Sequence, residues 1–526
     1  MMGIATMKHI LPRGSALLAM LLVLAGCAVG PQYDKPAVAV PAAYKEAATL
    51  PAGQAGAWQA AQPAENALRG QWWKIFGDPA LDALEDEAQR TNHSLQAAAA
   101  RLAQARALQR DARSARFPRV DAGFGPTRQR PSPASQGLEP EASTQASTLW
   151  RGQLSVAYEA DLFGRVSATV DAATADSQQS EALYRSVLLA LQADVAQGYF
   201  LIRELDAELR IYRQTVELRG ETLKLIQRRY DAGDISELDL ARARAELESA
   251  RAEALGVERR RAAAEHALAV LLGKTPAEFA MPAQPLARVA VNVPAGLPSS
   301  LLERRPDIAA AERAMAAANA RIGAARAAFF PRLDITGAAG FESAELGQLF
   351  EWSSRTFLLG PLVGAALSLP IFDGGRRQAG LDRARAVYEE DVANYRQTVL
   401  DAFREVEDNL ANLRILADQT QAQDAALDAS ARAARLSHTQ YREGSISYLD
   451  VIEADRTVLL QQRVAVQLDG ERARSAVQLV RALGGGWDTP IPAIDPDGRL
   501  STQEPAAAGQ LSRGEPVPGG GVAPSS

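Results

Sequence analysis

The chain has a single cysteine, Cys27, in 526 residues, so no disulfide can form within it and its stability must come from packing and assembly. Beyond the N-terminal segment it lacks any apolar run of about twenty residues, which excludes a membrane-spanning helix in the body of the chain. Aromatic residues make up only 6 % and there are four histidines. His9 lies in the N-terminal segment, and His93, His266 and His438 stand singly on helical stretches without metal-ligand spacing. A nucleophile elbow, a phosphate loop and a cysteine pair are all missing, so the sequence gives no reason to expect an enzyme, a cofactor or a metal. Lys plus Arg number 57 against 63 Asp plus Glu, a mild acidity that argues against nucleic acid as the main partner.

What is present begins with a targeting segment. Lys8 and Arg13 precede an apolar run from Ala16 to Ala25 that is too short to span a bilayer. The run ends in Leu24-Ala25-Gly26-Cys27, which reads as a bacterial lipobox with cleavage before Cys27 and acylation of that residue. Ala28 in place of aspartate implies passage to the outer membrane. Residues 1–26 are therefore expected to be a lipoprotein signal peptide. Residues 27–71, rich in Pro, Ala and Gly, are expected to be an acylated tether.

The dominant feature is a heptad seam. From Tyr184 through Leu188, Leu191, Val195, Ile202, Leu205, Leu209, Tyr212, Val216, Leu223 and Ile226 to Tyr230, apolar residues recur at alternating spacings of four and three, broken only at Gly198 and Arg219. After a break at residues 230–236 the spacing resumes on an alanine-rich arm ending near Leu271. The whole unit returns 211 residues later: Tyr184 matches Tyr395, Tyr230 matches Tyr441, and Gly233, Ser236, Leu238 and Asp239 match Gly444, Ser447, Leu449 and Asp450. The expected organisation is a first repeat over 72–272 and a second over 301–486, joined by a connector over 273–300 and followed by a disordered tail over 487–526. The two long hairpins would cover 163–272 and 375–484.

Each repeat also switches period from helix to strand. Val120, Ala122 and Phe124 alternate with Asp121, Gly123 and Gly125, as do Leu154, Val156 and Tyr158 with their neighbours. Strands are expected over 117–126, 149–162, 330–341 and 357–371. Strands in lipid must close into a barrel, and known spanning barrels need at least about eight of them. Four cannot close alone; two chains would give eight strands and a filled interior, three would give twelve and a lumen. An arm of about seventy residues would reach roughly 100 Å at 1.5 Å per residue, a length suited to a tube across an aqueous compartment.

These residues resemble the outer-membrane efflux proteins, the TolC and OprM group, and within it the lipoprotein (NodT-type) branch. The resemblance is carried by Cys27-Ala28-Val29-Gly30-Pro31, Trp72-Trp73 through Asp78-Pro79, Leu302-Glu303-Arg304-Arg305-Pro306-Asp307, Phe330-Pro331-Arg332 and both tip motifs. It implies a homotrimer with a twelve-stranded membrane β-barrel, a twelve-helix coiled-coil barrel in the periplasm and a mixed equatorial domain. The implied partners are a periplasmic adaptor (membrane fusion) protein, an inner-membrane pump of the RND type and outer-membrane lipid. The implied function is a passive export duct for drugs or other small molecules. A duct for type I protein secretion, or a periplasmic coiled-coil scaffold without a pore, is the alternative.

The resemblance also directs attention to the tips, whose turns centre on Gly233 and Gly444. Asp450 and Glu453 share one face of a helix start, and by likeness they would ring the tunnel mouth as its constriction. In TolC-like tips a tyrosine and an arginine of the inner hairpin bind an aspartate of the outer one. Tyr441 and Asp239 match two of these; Ile446 stands in the arginine's place, and Arg442 is the nearest substitute. Tyr230 is expected to pack at the end of the seam. Arg304-Arg305-Pro306-Asp307 reads as a helix start, with Pro306 in the first position.

Overall fold

A computed structural model describes residues 29–37, 44–46, 71–287, 305–359 and 365–485. The expected signal peptide over 1–26, Cys27, the part of the expected connector beyond residue 287, Leu302-Glu303-Arg304 and the tail from 487 lie outside the described residues.

The first repeat opens with a short 3-10 turn, Trp72–Phe76, then helices α1 (Pro79–Thr91) and α2 (His93–Ser114). Asp78 caps α1 by accepting from the Ala80 N–H at 2.9 Å, with Pro79 in the first helical position. Strands β1 (Arg119–Gln129) and β2 (Ser147–Ala160) follow, then the long helices α3 (Arg165–Asp231) and α4 (Glu237–Leu271). The second repeat supplies α5 (Pro306–Ala327), β3 (Arg332–Ser343), β4 (Arg355–Leu359), β5 (Ala365–Ser368), α6 (Arg376–Arg442) and α7 (Tyr448–Ala482). Both first arms have 67 residues and both second arms 35, and every boundary of α6 and α7 lies 211 residues beyond its counterpart in α3 and α4.

The strands start later than their alternation alone suggests. Phe117-Pro118 and Phe330-Pro331 belong to the turns that end α2 and α5, and proline has no N–H for a ladder, so pairing begins at Arg119 and Arg332. The stretch expected as one strand over 357–371 is described as β4 and β5, both paired with β3. Gly337 faces Leu359 while Ile335 faces Ala365, so two residues on β3 are matched by six on the other side and the register shifts by four. Pairing ends at Ser368, just before Pro370.

The sheet is antiparallel in the order β1-β2-β3-β4. Its register sorts the side chains: Ala122, Leu154, Ala339 and Phe357 lie in one row, with Val120, Val156 and Gly337 in the next row of the same face. The opposite face carries Asp121 beside Ser155, Gln153 beside Gly340, and Arg151 paired with Glu342 at 2.7 Å. Gly340 is required there, because a Cβ would run into the Gly152 carbonyl and the Gln153 backbone.

The main core gathers Trp72, Trp73, Leu81, Leu95 and Leu102 against Tyr199, Phe200 and Ile202 of α3 and Val477 of α7. Asn92 separates α1 from α2. Asn92 accepts from the Leu95 N–H at 2.9 Å and donates its side-chain amide to the Leu271 carbonyl at 2.9 Å, while the Thr91 hydroxyl donates to the Leu272 carbonyl at 2.7 Å. The helix break thus satisfies the carbonyls left open at the end of α4. Gly273 completes the joint with a φ of +66°, and a Cβ on it would strike the Thr91 carbonyl.

Glu85 takes an apolar place in this core: it is fully buried on α1 between Leu81 and Ala88, and neither carboxylate oxygen has a hydrogen-bond partner. Burial, reinforced by the nearby charges of Asp86 and Asp82, holds its carboxyl well above the ordinary value of 4.5. Below that value folded and unfolded chains both carry the proton. Above it only the folded chain keeps it, so stability falls as pH rises until the folded-state value is passed, by about 1.4 kcal/mol per pH unit. The melting temperature of detergent-solubilised protein is therefore expected to decline above about pH 5, and Glu85→Gln to flatten that decline. Equal slopes for the two proteins would show that Glu85 is solvated.

Candidate functional site at the hairpin tips

The two tips turn in the same way. The Gly233 N–H donates to the Tyr230 carbonyl at 2.9 Å and the Asp234 N–H to the Arg229 carbonyl at 2.9 Å; Gly444 and Ser445 repeat this onto Tyr441 and Gln440 at 3.0 and 2.9 Å. Gly233 and Gly444 adopt φ of +79° and +76°, the left-handed conformation in which a side chain is strained. Ser236 and Ser447 then cap the returning helices.

Between the tips lies an apolar knot of Ile226, Leu240 and Ala243 from the first hairpin and Tyr448, Val451 and Ile452 from the second, with Tyr441 and Ile446 packed on it. Ile446 therefore fills an apolar place, which explains why no arginine stands there. The structure does not bring the four expected latch residues together. Asp239 accepts from the Ser236 hydroxyl at 3.1 Å and lies 3.6 Å from Arg242. Arg442 donates to the Thr439 hydroxyl at 3.3 Å, and Tyr230 is partly exposed. The contact that does join the hairpins at this level was missed in the sequence: Arg229 donates to the Tyr441 hydroxyl at 3.0 Å, with its guanidinium 5.7 Å from the centre of the Tyr441 ring. Its only signal was arginine beside Tyr230 where the second copy has Gln440.

Asp450 and Glu453 are both exposed at the start of α7. Asp450 accepts from the Ser447 N–H at 2.9 Å and hydroxyl at 2.7 Å, a capping box that holds its carboxyl below the usual range. Glu453 pairs with Arg456 at 3.0 Å. Arg456 also reaches across to the first hairpin, donating through Nε to the buried Glu246 at 3.0 Å, and Glu246 in turn pairs with Arg219 at 2.9 Å. This explains the arginine that interrupts the first heptad seam.

The charged joint continues up the hairpins. Arg463 donates to the Tyr212 hydroxyl at 3.0 Å beside Glu208, Arg474 pairs with Glu204, and Gln478 donates to Gln197 at 2.8 Å. Gly470 lies so close to Glu204 that a Cβ would overlap its side chain. Among the described residues no group of three His, Cys, Asp or Glu could hold a metal ion.

The profile of the outer membrane efflux protein family matches residues 84–274 and 297–485, the two repeats in turn. The chain belongs to that family. Its relatives include the solvent efflux pump outer membrane protein SrpC of Pseudomonas putida, 38 % identical over 89 % of this chain and 97 % of the relative. The outer membrane protein OprJ of Pseudomonas aeruginosa is also 38 % identical, over 90 % of this chain and 96 % of its own length. Among solved structures, the outer-membrane channel OprN superimposes with a TM-score of 0.78 at 31 % identity, covering 88 % of this chain and all of that one. The open state of the MtrE outer membrane channel of Neisseria gonorrhoeae gives 0.74 at 30 % identity, covering 88 % of this chain and 99 % of that one. This efflux protein is accordingly an outer-membrane protein whose helical part extends into the periplasm.

The tip contacts make a separable expectation. Arg456→Ala, which leaves Glu246 with Arg219 alone, should loosen the joint by about 1 kcal/mol, since Arg456 is itself half exposed. Amide hydrogen exchange across residues 441–456 should quicken by roughly fivefold to tenfold, and Tyr441→Phe should act in the same direction. Asp239→Ala is expected to leave that segment unchanged; acceleration by Asp239→Ala alone would restore the latch first expected.

Proposed function

We propose that three copies of this efflux protein form a continuous export duct from the periplasm through the outer membrane. One observation carries the reading: a single chain combines an amphipathic sheet only four strands wide, β4 and β5 both lying along β3 and so sharing one place, with two helical hairpins whose 67-residue arms span roughly 100 Å, and such a sheet is too small to close alone. A coiled-coil scaffold without a pore would leave the sheet's apolar face unused. Twelve strands would close with a lumen, the polar row of Gln153, Ser155 and Arg151 lining it and the row of Leu154 and Phe357 meeting lipid. The chain performs no covalent step on its cargo in this reading. It works with a periplasmic adaptor and an inner-membrane pump, of the RND type, and the cargo is a small molecule; solvents and toluene appear in the names of several relatives.

Attachment at Cys27 is part of the same proposal. Gly30 packs Cα to Cα on Gly323, the Asn319 amide donates to the Pro31 carbonyl at 3.1 Å, and the Tyr33 hydroxyl donates to Glu312 at 2.8 Å. Gly323 lies in the last two turns of α5, the helix that leads into β3, so the tether runs along the sheet-proximal part of that helix. Cys27 precedes Gly30 by three residues, a span of at most about 10 Å, so acyl chains on it would lie on the side of the molecule where α5 leads into the sheet. Cys27→Ser is expected to abolish incorporation of labelled palmitate.

At the other end, three copies of Asp450 and Glu453 would form a ring of six carboxylates, attracting cations and narrowing the mouth. In planar bilayers the purified protein should conduct, and Asp450→Ala with Glu453→Ala should reduce its cation preference. Unchanged selectivity would remove these residues from the constriction; no conductance from intact trimers, and no restored resistance in a strain lacking the gene, would reject the duct.

A further inference from the structure

The connection between β3 and β4 does not rise away from the sheet as a flap over a pore mouth would. Residues 344–354 form two 3-10 turns, Leu346–Gln348 and Trp352–Ser354, and lie back against the apolar face of the sheet. Gly152 shows which face is meant. It shares its side of β2 with Leu154 and Val156, and a Cβ on it would meet the Phe124 ring at 3.6 Å, the Phe350 ring at 3.7 Å and Leu349 at 3.9 Å. Phe350 also stands edge-on to Phe341, the residue paired with Gly152, with ring centres 5.5 Å apart. Leu349 is fully buried by this contact, whereas Phe350 and Trp352 stay 70 % and 78 % exposed.

The loop is built for a wet-to-apolar boundary. Its backbone is satisfied from within: the amides of Gln348, Leu349, Glu351 and Ser354 donate to the carbonyls of Glu345, Leu346, Gln348 and Glu351 at between 3.0 and 3.3 Å, and the Ser354 hydroxyl donates to the Gln348 carbonyl at 2.7 Å. Cations stand beside the rings. Arg355 lies over the Trp352 ring and donates to the Trp352 carbonyl at 3.0 Å, and Arg128 is exposed on the same face of β1 as Phe124. Glu345 and Glu351 are exposed, so neither charge is pressed against the sheet. The equivalent loop of the first repeat, residues 130–146, has Leu138 as its one large apolar side chain.

We propose that the β3–β4 loop docks into the outer leaflet of the membrane, with Phe350 and Trp352 at the level where acyl chains meet head groups, and that this anchorage holds the loop outward, clear of the mouth of the duct. The inference rests on the assembly proposed above. The occupant is lipid because the exposed rings continue the apolar surface through Leu154 and Phe357, the face that meets lipid in that assembly, and aromatic side chains flanked by arginine suit its edge.

The test uses full-length trimer in vesicles of phosphatidylethanolamine and phosphatidylglycerol, with a polarity-sensitive dye on introduced cysteines and wild type labelled in parallel to give any background from Cys27. At Phe350→Cys, quenching by a phospholipid carrying a nitroxide near its head group should exceed quenching by aqueous iodide severalfold, and at Glu139→Cys in the other loop the order should reverse. Equal iodide quenching at the two positions would overturn the docking. Shielding of position 350 from both quenchers would show that protein covers it, and would overturn the docking as well. Leu154→Cys separates the loop from the barrel: absence of lipid quenching there would reject the barrel reading itself. The anchorage has its own check, since Phe350→Ser with Trp352→Ser should leave trimer recovery unchanged and make a dye at Glu345→Cys severalfold more accessible to iodide. An unchanged signal at Glu345→Cys would show that these rings do not hold the loop.

Discussion

The governing constraint is the backbone hydrogen bond at the edge of a sheet placed in lipid. A strand with one free side leaves a row of N–H and C=O groups that hydrocarbon cannot satisfy, each at a cost of several kcal/mol. The sheet here has two such sides, at β1 and at β4, and the chain offers no other strand to cover them among the described residues. The rest of the architecture is consistent with solving that problem by repetition. The apolar row through Leu154 and Phe357 needs a membrane, and the closed cylinder that satisfies the edges also fixes how the helical arms are arrayed beneath it.

Gene duplication usually suggests symmetry, yet the two halves have divided their labour. The lengths of the long helices are conserved between the repeats to the residue, so geometry has been held fixed. Charge has not. Acidic residues Glu204, Glu208 and Glu246 belong to the first copy, and the arginines that reach them from the other hairpin, Arg474, Arg463 and Arg456, belong to the second; Arg260 and Arg219 of the first copy also pair with Glu208 and Glu246. Glu204, Glu208 and Glu246 are buried, and a buried carboxylate stripped of its partner is costly, so these contacts specify which helix lies against which more than they add to stability.

Much of this was legible in the sequence because it is periodic and local. Heptad spacing located the long arms, self-similarity located the second copy, and alternation located the strands to within a few residues. The four-stranded, two-hairpin fold of the outer membrane efflux proteins followed from those signals. What stayed hidden depends on contacts between distant segments. Asn92 looks like an ordinary residue in a helical stripe until the end of α4 arrives beside it. Arg229 and Glu246 could not be matched to Tyr441 and Arg456 without knowing which faces of the two hairpins meet. Residue likeness at the tip pointed to Asp239 because the turn is similar, whereas the packing of Ile446 had already removed the arginine on which that arrangement relies.

The route of the N-terminal segment has a consequence for the order of folding. Tyr33 is bonded to Glu312, 279 residues away, and Glu46 is paired with Arg414, 368 residues away. This stretch, which precedes both repeats, thus has its resting place on elements of the second repeat, which are made well after it. It can settle only after the second repeat has formed, and closing loops of that length is slow. Seating of this strap is therefore a late event in maturation, a seal applied to a finished subunit rather than a nucleus from which the subunit grows.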